Sequence, residues 1–226
     1  MARVVGDPPR LTDEDLERLD RELETADAVD VVRWAVRTFG RRLSLAASMQ
    51  DAVLIDIATR VDPAIDVVFI DTGYHFPETL GTLEAVRRHY GIEPRVLQVP
   101  RSDPPLWKTD PVNCCSAAKV QQLERALQGR LAWMSGLRRA DSAARATAPI
   151  VARDRRGLVK VNPLATWTDL QVADYIVRWN VPYNPLLDRG YLSIGCAPCT
   201  RPVRDGEHKR SGRWPGIGKT ECGLHL

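Results

Sequence analysis

Aromatic residues and long apolar runs are scarce in this sequence. Of its 226 residues only 6% are Phe, Trp or Tyr. The longest apolar runs, such as Val67-Val68-Phe69-Ile70, fall far short of the roughly 18 residues of a membrane span, which excludes a membrane-spanning role. The N-terminus, MARVVGDPPR, lacks the apolar core of a secretory leader, so the residues predict a cytoplasmic protein whose thiols stay reduced. No charge of one sign dominates. Thirty-two Lys and Arg against 29 Asp and Glu leave +3, which argues against a polyanion-seeking protein, and no nucleic-acid-binding motif is present. Internal repeats and low-complexity tracts are lacking too. Cysteines number only five, an odd count in a chain too large to be a disulfide miniprotein.

What is present supports one large domain. The 44% hydrophobic content is enough for a core, and roughly 150 residues per domain gives one domain with appendages. Residues 1–40 read as an acidic helical segment. Thr12 caps a helix to Thr25, with Asp15 three residues on and Leu16, Leu19 and Leu23 as its stripe; a second helix runs over Ala28–Phe39 and stops at Gly40. Over 41–180 strands and helices alternate. Leu43–Ala47, Val67–Ile70, Arg95–Val99 and Leu131–Ser135 read as strands. Asp51–Arg60, Pro77–Tyr90 and Ser116–Leu127 read as helices. A last helix has a Thr168–Gln171 capping box before Leu170, Val172, Ile176 and Val177. This order predicts an α/β fold with a parallel sheet flanked by helices, and ligands at the carboxyl ends of the strands. Residues 181–226 are rich in Pro and Gly and read as a loop-rich tail of the same domain.

The cysteines divide four plus one. Cys114-Cys115 are adjacent, Cys196-Ala197-Pro198-Cys199 is a C-x-x-C, and Cys222 stands alone near the C-terminus. Four thiolates suit zinc or an iron–sulfur cluster. Adjacent cysteines diverge too far to share one zinc ion with ease, whereas neighbours can reach different irons of a cubane, so the adjacency favours one 4Fe-4S cluster per chain. Blander readings stay open: Cys114 and Cys115 as small buried hydrophobes, and the C-x-x-C as a redox pair. Lys119 follows Cys115 by about one helical turn. Four thiolates around a 2+ core sum to about −2, which a nearby ammonium would offset.

Taken together, these motifs resemble the assimilatory adenylyl-sulfate (APS) reductases of the iron–sulfur type, within the phosphoadenylyl-sulfate (PAPS) reductase family. The match is carried by SMQDAVLIDIA (48–58), FIDTGYHFPET (69–79), CCSAAK (114–119), SGLRRADS (135–142), VNPLATWT (161–168), GYLSIGCAPCT (190–200) and SGRWPGIGKTECGLH (211–225). The resemblance implies an adenine nucleotide alpha hydrolase-like fold and reductive cleavage of adenosine 5′-phosphosulfate to sulfite and AMP in sulfate assimilation, with thioredoxin as reductant. Cys222 would attack the sulfuryl sulfur and become an S-sulfocysteine, aided by His225 and by Lys119. Cys114, Cys115, Cys196 and Cys199 would hold the cluster. Ser48 and the backbone of 49–51 would cradle phosphate, and Ile70, Thr72 and Gly73 would hold the adenosine. Arg138 and Arg139 would grip the phosphosulfate, with Arg210 and Arg213 on the sulfate.

The loop Ser44-Leu45-Ala46-Ala47-Ser48-Met49 departs from the Gly- and Ser-rich phosphate loop of pyrophosphate-cleaving relatives, which argues against an adenylating enzyme. Two alternatives remain at this point: a PAPS reductase, and a non-catalytic iron–sulfur or zinc redox sensor. A homo-oligomer is left open.

Overall fold

The computed structural model describes residues 10–217, 219, 221 and 223, with Cys115 and Ser116 described by backbone alone. Helices α1 (Asp13–Leu23) and α2 (Ala28–Phe39) lead into β1 (Leu43–Ala47), α3 (Val53–Val61), β2 (Asp66–Asp71), α4 (Pro77–Tyr90) and β3 (Arg95–Gln98). Two short helical pieces follow, α5 (Leu106–Thr109) and α6 (Pro111–Asn113). The chain then makes a wide π-type turn over Cys114–Ala118, which runs into α7 (Lys119–Ala126). Strands β4 (Ala132–Ser135), β5 (Val151–Arg153) and β6 (Val159–Val161) and helix α8 (Asp169–Trp179) complete the regular elements. None of these helices is long and apolar enough to cross a membrane.

The period-two alternation of the strands sorts their side chains onto two faces. Leu43 and Leu45 of β1, Val67 and Phe69 of β2, and Ala132 and Met134 of β4 enter one large cluster, whose helical side is Val31, Val32 and Ala35 of α2 and Ile55 and Ala58 of α3. Ile70 and Trp133 point the other way, onto Leu123 of α7 and Leu127. Helices therefore cover both faces, as a parallel sheet requires. Leu16 of α1 lies in the same large cluster, so the acidic N-terminal segment packs into the core rather than beside it.

The strand order is β3-β2-β1-β4-β6-β5. Every pair is parallel except β5, which runs antiparallel to β6 at the edge. The sequence reading placed β1 to β4 and ended the sheet at Leu131–Ser135; β5 and β6 correct it. Each is three residues long, too short for alternation to register. Their turn is set by Asp154, whose Oδ1 accepts the N–H groups of Arg156 and Leu158 at 2.9 and 3.0 Å.

The α8 stripe is also corrected. Val172 and Ile176 pack on the core with Tyr175, but Leu170 and Val177 are 69% and 83% exposed. Residues 172, 175 and 176 share one helical face, and 170 and 177, seven apart, lie on the opposite one.

This topology positions the site. From β1 the chain steps outward through β2 to β3, then crosses back to β4 on the far side of β1. The carboxyl ends of β1 and β4 thus diverge into different loops, and the crevice between them is where ligands of such sheets bind.

Candidate active site

A cavity of about 190 Å³ opens at that crevice. Its walls come from the loop after β1 (Ala47, Ser48, Gln50, Asp51), from Ile70 and His75 after β2, from Ser135 to Arg138 after β4, and from Ser193, Ile194 and Gly195 of the C-terminal region. The loop after β1 is held in an unusual shape. Met49 is fully buried at φ +59°, a left-handed backbone that costs a non-glycine residue about 1–3 kcal/mol unless its surroundings impose it. They do so here. The N–H of buried Asn184 donates to Gln50 O at 2.9 Å, and Ile194 N–H donates to Gln50 Oε1 at 2.9 Å. The Asn184 amide also donates to Thr79 Oγ1 at 3.0 Å. Asp51 accepts the Val53 N–H, the first of α3, at 3.1 Å; burial pushes its carboxyl above the usual range.

Cations rim the cavity. Arg138, at the end of β4, is 9% exposed and reaches Asp141 at 2.9 Å and Asp169 at 2.8 Å through Nη2. Its Nη1 is buried with no acceptor among the described residues, which marks a place for an acceptor supplied from outside. Arg145 makes a two-pronged pair with Glu221, Nε to Oε1 at 2.9 Å and Nη2 to Oε2 at 2.7 Å. Arg210 reaches the same carboxylate at 3.2 Å and Ser193 Oγ at 3.3 Å; burial lowers its guanidinium to about 10. Lys209 bridges Asp169 at 2.9 Å and Asp141 at 3.3 Å. Arg213 lies over the ring of buried Trp214 at 4.3 Å and against Gly195. A Cβ at Gly195 would stand 2.4 Å from Arg213 Nη2, so only glycine lets that guanidinium close in.

His75 and Lys119 line the cavity as well. His75 Nε2 donates to Ile70 O at 3.1 Å, which leaves Nδ1 as the lone-pair nitrogen, buried and without a partner among the described residues. Burial, reinforced by the Lys119 ammonium, lowers the imidazole to about 4, so it is neutral at neutral pH. Lys119 opens α7 directly after the π-type turn and lines the cavity.

Cys196 and Cys199 lie outside the cavity lining. His75 forms a backbone bridge with Cys196, and Ala197 N–H donates to Tyr74 O at 2.8 Å, which ties the C-x-x-C to the loop after β2. Thr72 Oγ1 lies 3.1 Å from Cys196 Sγ and takes the Tyr74 N–H at 3.3 Å. Cys199 is buried with Trp214, against Trp107 of α5 and Ile217. Trp107 also meets Tyr74 edge to face, with ring centroids 6.5 Å apart. The helical pieces that lead into Cys114 and the C-x-x-C loop are therefore packed on the same residues. Among the described residues no group of three or more His, Cys, Asp or Glu side chains is arranged to hold a metal ion; the Cys115 side chain is outside that set.

Comparison with known proteins decides the family. Residues 42–202 match the phosphoadenosine phosphosulfate reductase domain. The chain belongs to that family. Among the relatives of this family member are proteins named adenosine 5′-phosphosulfate reductase. That of Streptomyces coelicolor is 48% identical over 219 residues, covering 92% of each chain. That of Mycobacteroides abscessus has the same identity and coverage. Among solved structures, a phosphoadenylyl-sulfate reductase from Candida auris in complex with phosphate superposes with a TM-score of 0.75 at 30% identity, over 87% of this chain and all of that one.

Of the residues the sequence singled out, Ser48, Ile70, Lys119, Arg138, Arg210 and Arg213 line the one cavity. Thr72 and Gly73 do not. Thr72 faces Cys196, and Gly73 O takes a bond from Arg101 at 3.0 Å. Arg139 is a correction. Its guanidinium turns from the crevice to pair with Glu24 and with Ala148 O at 2.8 Å, so it fixes the segment after α1 to the sheet domain. Arg138 is the extended residue just before a 3₁₀ turn over Arg139–Asp141, so the two adjacent side chains leave the backbone in different directions. Cys222 and His225 lie outside the described residues. Sequence reading missed Arg145 and His75 as cavity residues, and of Asp51 it used only the backbone. Asp51 and His75 carried a signal, for both lie in the strand-end segments SMQD and DTGYH; Arg145 had none.

Proposed function

We propose that this family member is an adenylyl-sulfate reductase, which cleaves adenosine 5′-phosphosulfate to sulfite and AMP with electrons from thioredoxin. The observation that carries the reading is the tie between tail and cavity: Glu221, the residue before Cys222, is bound by Arg145 and Arg210, both of which line the cavity. A thiol joined to that cationic rim by one peptide bond has the setting a nucleophilic cysteine needs. The Cys222 thiolate attacks the sulfuryl sulfur; an S–S bond forms, the S–O bond to AMP breaks, and AMP leaves with the electron pair. One thioredoxin thiolate then attacks Cys222 Sγ and expels sulfite, and the second thiol resolves the mixed disulfide. Thioredoxin is oxidised by two electrons and sulfate sulfur is reduced by two.

The chain's own residues supply binding and charge. Arg138, with its unmet Nη1, and Arg213 receive the anionic groups, Ser48 and the backbone of 49–51 the phosphate, and Ile70 the base. Cys114, Cys115, Cys196 and Cys199 would hold a 4Fe-4S cluster. The packing of the α5–α6 segment and the C-x-x-C loop against Tyr74 and Trp107 supports this assignment, as does the Thr72 hydroxyl beside Cys196. When bound, such a cluster would supply negative charge beside the cavity, which the positive charge of Lys119 would offset.

A PAPS reductase is the second reading, favoured by the Candida auris neighbour. The test is anaerobic sulfite release with reduced thioredoxin, run on both nucleotides, together with iron and zinc content. The proposal expects turnover of APS at a kcat/KM at least tenfold above that of PAPS, and about four irons per chain. The reverse preference would make it a PAPS reductase. Stoichiometric zinc without iron would remove the cluster.

A further inference from the structure

Asn184 is fully buried, and the bonds of its backbone and its side chain converge on the loop after β1. Its N–H donates to Gln50 O at 2.9 Å. Its side-chain amide donates to Met49 O at 3.4 Å and to Thr79 Oγ1 of α4 at 3.0 Å. Its Oδ1 accepts the Leu186 N–H at 3.1 Å, which settles which end of the amide carries the nitrogen. Its neighbours add to the fastening: Ala52 N–H donates to Pro182 O at 3.0 Å, and Asp51 and Tyr183 form an antiparallel bridge. This dense tie has a reason in the sequence. From Ser44 to Asp51 the chain has no glycine, yet Met49 stands at φ +59°. A glycine would take that conformation at no cost, whereas a methionine must be held there by its surroundings. The left-handed residue in turn shapes the loop. Such turns bring successive N–H groups to one side, and those of Met49 and Gln50 donate to no acceptor among the described residues. Gln50 itself lines the cavity.

We propose that Asn184 is a positioning residue for the phosphate of the nucleotide: it props Met49 in the left-handed conformation and so keeps the backbone of 49–51 shaped to receive phosphate oxygens. The inference rests on that backbone being the phosphate site. Asn184 is fully buried and does not line the cavity, so it acts through Met49 and Gln50 rather than by touching the nucleotide. An asparagine suits the task because its NH₂ group supplies donors to Met49 O and Thr79 while its oxygen takes the Leu186 N–H. A loop held in its binding shape beforehand gains affinity, because less ordering remains to be done when the ligand arrives. The phosphate stays with AMP throughout the reaction. Loss of the prop should therefore weaken ground state and transition state alike, and fall on affinity rather than turnover.

The test uses the full-length protein, purified anaerobically, with AMP and adenosine as probes in titration calorimetry and APS turnover measured alongside. Asn184→Asp is close to isosteric. It keeps the acceptor for Leu186 and can accept from the Thr79 hydroxyl, but it sets an oxygen against Met49 O. N184D should weaken AMP by about tenfold or more and leave adenosine within about twofold. The KM for APS should rise as AMP affinity falls, with kcat within about threefold of wild type. A merely structural role would weaken AMP and adenosine together; that result, or wild-type AMP affinity in N184D, would overturn the proposal. Should N184D fail to fold, as judged by its urea midpoint, Thr79→Val removes the nearer acceptor of the same amide. AMP should then weaken by about threefold or more with adenosine unchanged, and wild-type AMP affinity in T79V would overturn the proposal in its turn. Wild-type protein that binds AMP no more tightly than adenosine would refute the phosphate site itself and the role of Asn184 with it. That failure shows before any variant is made, so it is distinct from a failure of Asn184 alone.

Discussion

In the sheet frame, burial and strand alternation decide where each residue goes; at the cavity rim, ion pairs decide. Leu43 and Leu45 enter one cluster and Trp133 the other because their strands alternate, and no neighbour needs to be consulted. Arg138 and Arg139 are adjacent and chemically identical, yet one pairs with Asp141 and Asp169 at the cavity and the other with Glu24, 115 positions away in sequence. Hydrophobic placement is a property of the local pattern, whereas charge placement depends on distant partners. The frame is therefore expected to answer to mutation in stability and the rim in activity.

The largest test of that division lies in the frame. Trp133 is fully buried, and its indole N–H donates to Asp154 at 3.0 Å. Trp133→Ala should cost about 3–5 kcal/mol, read from urea unfolding midpoints at constant m-value. A loss under about 1 kcal/mol would mean that the second face is not held by packing.

At the rim the paired arginines sharpen the contrast. Arg138→Gln should lower kcat/KM for APS by about 10–100-fold, as removal of a charged donor to an anionic substrate does. Arg139→Gln should leave kcat/KM within about twofold and cost the ~0.2–1 kcal/mol of a half-exposed ion pair. Equal losses of activity in both would erase the distinction drawn between them.

The smallest effect sits where frame and rim meet, at His75. Its pKa is lowered to about 4 from an ordinary 6.5, so in that window the unfolded chain binds a proton that the folded chain refuses. Stability contributed here is full above about pH 6.5 and declines as pH falls toward 4. His75→Asn should flatten that decline, seen as a smaller drop in Tm between pH 7 and pH 5 than in wild type. An unchanged slope would show that the imidazole is not held neutral.

The same division explains what the sequence made legible. Four strands, the α1 and α8 capping boxes and the crevice at the strand ends were readable, because each rests on local spacing or a local cap. Ser48, Ile70, Lys119 and Arg138 came with strand-end or motif positions. The three-residue β5 and β6 escaped because they are too short to show a period, and Met49's left-handed backbone because Asn184 and Ile194 impose it from far along the chain. Arg145 escaped for the same reason as Arg139 was misplaced: its role is set by Glu221, 76 positions away in sequence.

The central claim is that the rim delivers Cys222 to the sulfur of an adenylyl sulfate. Anaerobic protein incubated with APS, without thioredoxin, tests it by intact and peptide mass with Cys222→Ser alongside. The account predicts one sulfo group per chain, carried on the Cys222 peptide, with one AMP released, and neither in the variant. AMP release without an adduct, or an adduct that survives in Cys222→Ser, would contradict it.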